Sequence, residues 1–327
     1  MPQPVRTPQP VPMPQPARPV VNPGGMALDG IEQLGEQVPA RRDWRDVIHR
    51  YVGIDLGQSP EVAHENALRE QIGTAVGAAY PIAVLNLKGG VGKTAVVEAL
   101  GSTFASLRSD RVVAVDLDAG DLADRHGRRN NLSLADLLSH NSVARYADVR
   151  AHTFMNSSGL EVLGLPDYAY SNWSISRQDF VKAFSILRNH YSLVLMDCPK
   201  TLNSSVMEAV LSESRALVVV TSTSIDAIQK TRTTVEWLSN NGYRKLIGST
   251  VLAVNHVERT KLSTLAAAEL EQLSAHVAAT VMLPFDRHVH QGKEIGLDRM
   301  SWESRRSYLE VGAALARTFP SRHLTSI

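Results

Sequence analysis

A glycine-rich stretch at residues 88–94, Lys-Gly-Gly-Val-Gly-Lys-Thr, carries the residue types that bind phosphate. Its three glycines let the backbone turn so that several N–H groups point at one anion. The second lysine supplies a positive charge to the terminal phosphates, and the threonine hydroxyl is a ligand for Mg²⁺. We therefore predict that a nucleoside triphosphate contacts Gly89, Gly90, Val91, Gly92, Lys93, Thr94 and Ala95.

Aspartates follow two further apolar segments of the chain. Asp116 and Asp118 come after residues 111–115, and Asp197 comes after residues 192–196. Carboxylates at the C-terminal ends of parallel strands face the ligand crevice. We predict Mg²⁺ ligands at Thr94, Asp116 and Asp197, with the two aspartates acting through water. The alternative for the first two aspartates is that they are solvated carboxylates of a turn.

These residues need a scaffold of strands and helices. Residues 82–87 predict a buried strand, and a helix is indicated after the glycines by Val97, Leu100, Phe104 and Leu107. Further strands are predicted at 160–165, 216–221 and 251–255, and further helices at about 60–76, 131–138, 177–190, 224–240 and 302–318. The alternation implies right-handed crossovers. We expect an α/β fold with a mostly parallel, twisted sheet and helices on both faces.

With its leading lysine, the stretch 88–94 resembles the deviant Walker A motif of the ParA/MinD family of P-loop ATPases. The likeness covers about residues 80–320 and includes a Walker B-like strand ending in Asp197, followed by Cys198-Pro199. It implies an Mg²⁺-dependent ATPase that forms a homodimer on binding ATP. The implied catalytic residues are Lys93 on the phosphates, Lys88 reaching the partner subunit's nucleotide, and Asp118 orienting the attacking water.

The resemblance also implies a base pocket. An asparagine at the end of a late strand contacts the adenine in this family, and Asn255 occupies that position. A later P-x-D segment, which lines the pocket mostly through its backbone, corresponds to Pro284 and Asp286.

The chain departs from the family pattern at three positions. Ala95 stands where a second Thr or Ser is usual, and Asp121 stands roughly where an Asn is expected. Both changes bear on the hydrolysis rate more than on nucleotide binding. Lys200, after Cys198-Pro199, is atypical and has no assigned role.

Three segments differ in composition. Residues 1–40 begin with a run rich in proline and predict a disordered tail, either a spacer or a docking segment for a partner. Residues 41–79 predict a helical extension, either a layer packed on the ATPase or a helix that binds a membrane surface or a partner. Residues 80–320 predict the ATPase domain.

The composition of the chain indicates its cellular compartment. The chain has 327 residues, a formal net charge of +1 and one cysteine. One cysteine excludes an intramolecular disulfide and fits a reducing compartment. No apolar run approaches the length of a transmembrane segment. We expect a cytoplasmic protein that reaches the inner membrane, if at all, through a partner.

The layout of the tail, the Arg/Trp-containing segment and the first strand further resembles the MinD-like ATPases of actinobacterial type VII (ESX) secretion, the EspI-like proteins. That likeness implies a switch that supports secretion, with the secretion machinery as partner. One alternative is a DNA- or cargo-partitioning ATPase of the ParA type. A second is a nucleotide-sensing adaptor with negligible turnover. Candidate DNA contacts are Arg125, Arg128, Arg129, Arg259 and Lys261.

Overall fold

The computed structural model describes residues 59–140, 143–259 and 262–320. Their centre is an eight-stranded sheet with the order β3-β4-β2-β5-β1-β6-β7-β8. All pairs are parallel except β3 with β4. The strands are β1 (Tyr80–Leu85), β2 (Val112–Asp116), β3 (Phe154–Met155), β4 (Glu161–Leu163), β5 (Leu193–Asp197), β6 (Ala216–Ser222), β7 (Thr250–Asn255) and β8 (Ala279–Leu283).

Helices cover both faces of this sheet, as predicted. They are α1 (Pro60–Ile72), α2 (Lys93–Leu107), α3 (Asp121–Arg125), α4 (Leu134–Ser139), α5 (Tyr146–Arg150), α6 (Arg177–Leu187), α7 (Ser205–Glu213), α8 (Ile225–Asn240), α9 (Arg244–Ile247), α10 (Thr264–Ser274), α11 (Arg287–His290) and α12 (Trp302–Ala316). In the described part of the chain, a 3₁₀ turn spans Leu297–Arg299.

The sheet separates two apolar cores because successive side chains of a strand point to opposite faces. On β1, Ile82 and Val84 pack with α1, α2 and α12. Ala83 and Leu85 pack on the other face with α6, α7 and α8. Every residue of β1 is buried, and the strand lies between β5 and β6. The loop that follows β1 therefore emerges at the middle of the sheet.

Helix α1 belongs to the first of these cores. Leu68 and Ile72 are buried in it, and Ile72 packs against Gly312 of α12. Arg108 donates hydrogen bonds to the carbonyls of Ile72 and Thr74, which fixes the end of the helix. The interpretation of this part of the extension as a layer packed on the ATPase is confirmed.

Several predicted boundaries were too long. The strand at 160–165 spans only Glu161–Leu163, and the last helix ends at Ala316. The antiparallel β3 and the helices α7 and α10 were not predicted. The predicted tail and residues 41–58 lie outside the described residues, so the predicted domain limits stay predictions. Among the described helices, none is both long and apolar enough to cross a membrane.

Candidate nucleotide-binding site

The glycine-rich loop joins the end of β1 to the start of α2, as predicted. Helix α2 begins at Lys93, and Gly92 before it has φ 93°. Gly90 also has a positive φ, of 75°. A side chain is disfavoured at either position, and a Cβ at Gly92 would lie 2.4 Å from the side-chain nitrogen of Asn255. The loop and the start of the helix can thus present backbone N–H groups to an anion.

Lys93 is the buried cation of the site. Its side chain is 6% exposed, and its Nζ lies 3.9 Å from an oxygen of Asp118. Asp118 is itself 25% exposed and follows the end of β2. The structure therefore brings together two of the predicted catalytic residues, the phosphate-binding lysine and the water-orienting aspartate.

Asp116 forms hydrogen bonds to the backbone of the loop that follows β2. One carboxylate oxygen accepts the backbone N–H of Asp118, and the other accepts that of Leu122. Burial raises the pKa of Asp116 to about 6, although these hydrogen bonds act in the opposite direction. Asp116 thus holds the 117–122 loop in place, and its role toward Mg²⁺ stays a prediction.

Asp197 lies beside Asp116, in register with it across β2 and β5. It is 1% exposed, and neither of its oxygens accepts a hydrogen bond. Burial, and then the charge of Asp116, raise the pKa of Asp197 to about 7. The Thr94 hydroxyl and Lys93 lower that pKa by less, and the hydroxyl lies outside hydrogen-bond geometry with the carboxylate.

This unpartnered carboxylate tests whether the site suits Mg²⁺. Buried carboxylates are normally hydrogen-bonded or bind a metal. Asp197 with Thr94 offers oxygen ligands of the type that Mg²⁺ prefers, and phosphate oxygens and water usually complete its shell. Within the described ranges no cluster of three or more His, Cys, Asp or Glu residues forms a metal site by itself. The residues fit an Mg²⁺ ion bound together with nucleotide phosphates.

Lys88 does not join the other catalytic residues. Its Nζ lies 2.5 Å from a carboxylate oxygen of Asp226, at the start of α8. The hydrogen bond from Lys88 is the main reason that the pKa of Asp226 falls to about 2. The leading lysine is therefore paired within its own chain.

Two of the predicted base-pocket side chains form hydrogen bonds within the protein. Asn255 donates a hydrogen bond to the Val91 carbonyl at 2.9 Å. Asp286 caps α11 through the N–H groups of His288 and Val289 and also accepts the N–H of Ser301. Burial alone would raise the pKa of Asp286, but these hydrogen bonds together lower it. Contacts of Asn255, Pro284 and Asp286 with adenine stay predictions.

A cavity of about 490 Å³ adjoins the loop, within the size range of small-molecule sites. Its walls come from the loop itself, from the β6–α8 turn and from the segment after β7. Lining residues include Lys88, Gly89, Gly90, Ser224, Asp226 and Glu258.

Asn86 is a site residue that the sequence analysis missed. It is fully buried just before the loop and donates hydrogen bonds to the Val220 carbonyl and the Thr231 hydroxyl. Its own oxygen accepts the N–H of Lys88. Asn86 therefore fastens the start of the loop to β6 and α8. A polar residue inside an apolar strand was the available signal.

Glu98 is a second missed residue, and it changes the interpretation of the basic cluster. This fully buried carboxylate of α2 accepts a hydrogen bond from Arg125 and another from the N–H of Ile295. Arg128 pairs with Asp124, and Arg129 pairs with Glu294. Each of these three arginines, predicted as candidate DNA contacts, is thus in an ion pair within the chain. Lys261 lies outside the described residues.

Comparison with known proteins agrees with this geometry. Residues 79–246, slightly more than half of the chain, match the family model described as an AAA domain. The ESX-1 secretion-associated protein EspI of Mycobacterium tuberculosis H37Rv is 37% identical over 287 residues. The match covers 86% of this chain but 43% of EspI, so the chain spans less than half of that relative.

Solved structures show the same fold at low identity. The ParA family ATPase of Chlorobium tepidum TLS superposes with a TM-score of 0.56 at 18% identity, covering 74% of this chain and 97% of that one. The septum site-determining protein MinD of Pyrococcus horikoshii OT3, complexed with Mg-ADP, gives 0.52 at 18% identity over 72% and 94%. The chain thus belongs to the AAA-domain family and has the fold of the MinD and ParA family proteins.

Proposed function

We propose that this protein is an Mg²⁺-dependent switch that binds and slowly hydrolyses ATP and dimerises around it. The observation that carries the proposal is the buried carboxylate of Asp197. It lies near Lys93 and Thr94, and neither of its oxygens accepts a hydrogen bond. A divalent cation bound together with the phosphates would offset the unfavourable charge of that carboxylate. The resemblance to EspI and to ParA/MinD structures supports the same function.

In this mechanism the loop amides and Lys93 hold the phosphates, and Asp197 with Thr94 would hold Mg²⁺. The ion would supply charge neutralisation at the phosphate oxygens. Asp118 accepts a hydrogen bond from a water molecule and aims its oxygen at the terminal phosphorus. The water oxygen bonds to that phosphorus as the bond from phosphorus to the β,γ-bridging oxygen breaks. ADP leaves with the bonding electrons, and the water proton ends on the released phosphate or in solvent.

Dimerisation would add Lys88 of each subunit to the nucleotide of the other. That step requires Lys88 to leave Asp226, and this ion pair is more than one-third exposed on both sides. Exposed ion pairs contribute little to stability, so opening this pair costs little free energy. The hydroxyl missing at Ala95 favours slow turnover.

A role in ESX-type secretion rests on the likeness to EspI, which is named as ESX-1 secretion-associated. We propose that nucleotide-dependent dimerisation regulates a contact with the secretion machinery. In this hypothesis the proline-rich tail docks the partner, and the protein is cytoplasmic or peripheral at the inner membrane through that partner.

Two alternative functions are supported or weakened by particular contacts. A ParA-type partitioning ATPase needs free cations for DNA, and ion pairs neutralise the arginines at 125, 128 and 129. A nucleotide-sensing adaptor is favoured by Ala95 and by the pairing of Lys88 within its own chain.

Size-exclusion chromatography and phosphate release of Asp118→Ala and Lys93→Ala test the proposal. We expect Asp118→Ala to bind ATP and accumulate as a dimer, and Lys93→Ala to remain monomeric without binding. A monomeric Asp118→Ala protein saturated with ATP would refute the dimer. Wild-type protein that binds ATP but releases no phosphate, with or without candidate partners, would favour the adaptor.

A further inference from the structure

Lys200 lies over the phosphate-binding loop. It follows β5 by three residues, and the intervening turn is tied to β1 because the N–H of Cys198 donates to the Val84 carbonyl at 3.1 Å. Since β5 neighbours β1, the loops that leave these two strands lie side by side. One loop leaves β5 after Asp197, and the other leaves β1 after Leu85.

The lysine side chain covers Gly89 closely. A Cβ placed on Gly89 would be 3.0 Å from Cε and 3.3 Å from Nζ of Lys200. The ammonium group therefore lies next to Gly89, near the start of the loop. A residue with a side chain at position 89 would compete for this space.

This ammonium has no counter-charge in the described residues. The other two lysines of the site have carboxylate partners, Asp226 for Lys88 and Asp118 for Lys93. No ion pair or hydrogen bond engages the Lys200 ammonium in the part of the chain that the structure describes. The side chain is exposed, so its charge is solvated and is available to an anion bound at the loop. Close to Gly89, it adds to the positive potential that Lys93 and the loop N–H groups create there.

We propose that Lys200 is a phosphate-binding residue that contacts the terminal phosphate of the nucleotide within its own subunit. The inference rests on the proposed function and adds to it a source of selectivity for nucleoside triphosphates over diphosphates. With Lys88 held by Asp226, the lone subunit would still have two cations, Lys93 and Lys200, at the phosphates.

Calorimetric titration of the full chain with Mg²⁺ and either ADP or a non-hydrolysable ATP analogue tests this inference. Charge-assisted hydrogen bonds contribute enough that we expect Lys200→Ala to weaken analogue binding about 10-fold or more. ADP binding should change less than about twofold, because ADP lacks the terminal phosphate. Lys200→Arg should restore part of the lost affinity.

Lys245→Ala is a matched control. That exposed lysine lies in α9, just before β7, at the N-terminal ends of the parallel strands, whereas the site lies at their C-terminal ends. It should leave both affinities unchanged. An unchanged ratio of analogue to ADP affinity in Lys200→Ala, with normal wild-type binding, would overturn the inference and leave the proposed function standing. Wild-type protein that binds neither nucleotide would refute the proposed function itself.

Discussion

Replacing Asp197 by Asn should stabilise the nucleotide-free protein and at the same time remove its response to Mg-ATP. The carboxylate is buried without a hydrogen bond, and its pKa rises from 3.8 to about 7. At about 1.4 kcal/mol per pKa unit, its ionisation costs roughly 4 kcal/mol of folding free energy at pH 8. Replacement by Asn removes this cost, but the buried amide, left without a partner, costs about 1–3 kcal/mol itself. The net stabilisation is about 1–3 kcal/mol.

The direction of the pH dependence follows from the raised pKa. Below about pH 4 the carboxyl is protonated in both folded and unfolded chains, so it has no differential effect. As the pH rises toward 7, the unfolded chain ionises freely and the folded one does not, so the wild type loses stability. The advantage of Asp197→Asn should therefore grow between about pH 4 and 7 and then stay constant.

Thermal unfolding followed by circular dichroism, with a chelator present, measures this effect. A net gain of this size corresponds to roughly 2–6 °C in melting temperature for a domain of this length. Added Mg-ATP should raise the melting temperature of the wild type and leave that of Asp197→Asn nearly unchanged.

Asp116→Asn is the matched control, because that aspartate is equally buried but accepts the N–H groups of Asp118 and Leu122. Its replacement removes a carboxylate whose pKa is also raised, but it turns an amide donor toward one of these N–H groups. The two effects oppose each other, so little or no gain in stability is expected. The reasoning is refuted if Asp197→Asn lowers the melting temperature at pH 8, or if it retains the full response to Mg-ATP.

Three further substitutions test other parts of the site. Gly92→Ala should abolish ATP binding by calorimetry, because its Cβ would collide with Asn255 at a positive φ; near-normal affinity would contradict this geometry. Asn86→Ala leaves the N–H of Lys88 and the Val220 carbonyl without a partner. It should lower the free energy of unfolding in urea by about 1–3 kcal/mol, and a loss below about 0.5 kcal/mol would contradict the proposed anchoring. Asp226→Asn frees Lys88, so analytical ultracentrifugation with ATP should detect dimers at lower protein concentration, whereas weaker dimerisation would mean that Asp226 itself contributes to the interface.

The sequence predicted those features that depend on local pattern. Buried strands such as β1 and β5 are continuous apolar runs, and the glycine spacing fixes the turn between β1 and α2. Local spacing does not specify which distant partner a polar side chain meets. The pairing of Lys88 with Asp226 and of Arg125 with Glu98 depends on how the elements pack.

Helix capping also separates what local sequence predicts from what depends on distant residues. A helix was predicted at about 131–138, and α4 begins after Ser133 with a capping box to Asp136. Asp286 was predicted from the family pattern as a base-pocket residue, and its side chain caps α11. That arrangement required knowing that Ser301, fifteen positions further on, returns to the same carboxylate.

Cys198 is fully buried between the sheet and its covering helices, and burial raises the pKa of its thiol. Since it is the one cysteine of the chain, the folded protein presents no accessible thiol to alkylating or fluorescent reagents. Cysteines introduced on the surface can therefore carry spectroscopic labels without prior removal of the native one. Reaction at Cys198 would in turn report exposure of the middle of the sheet.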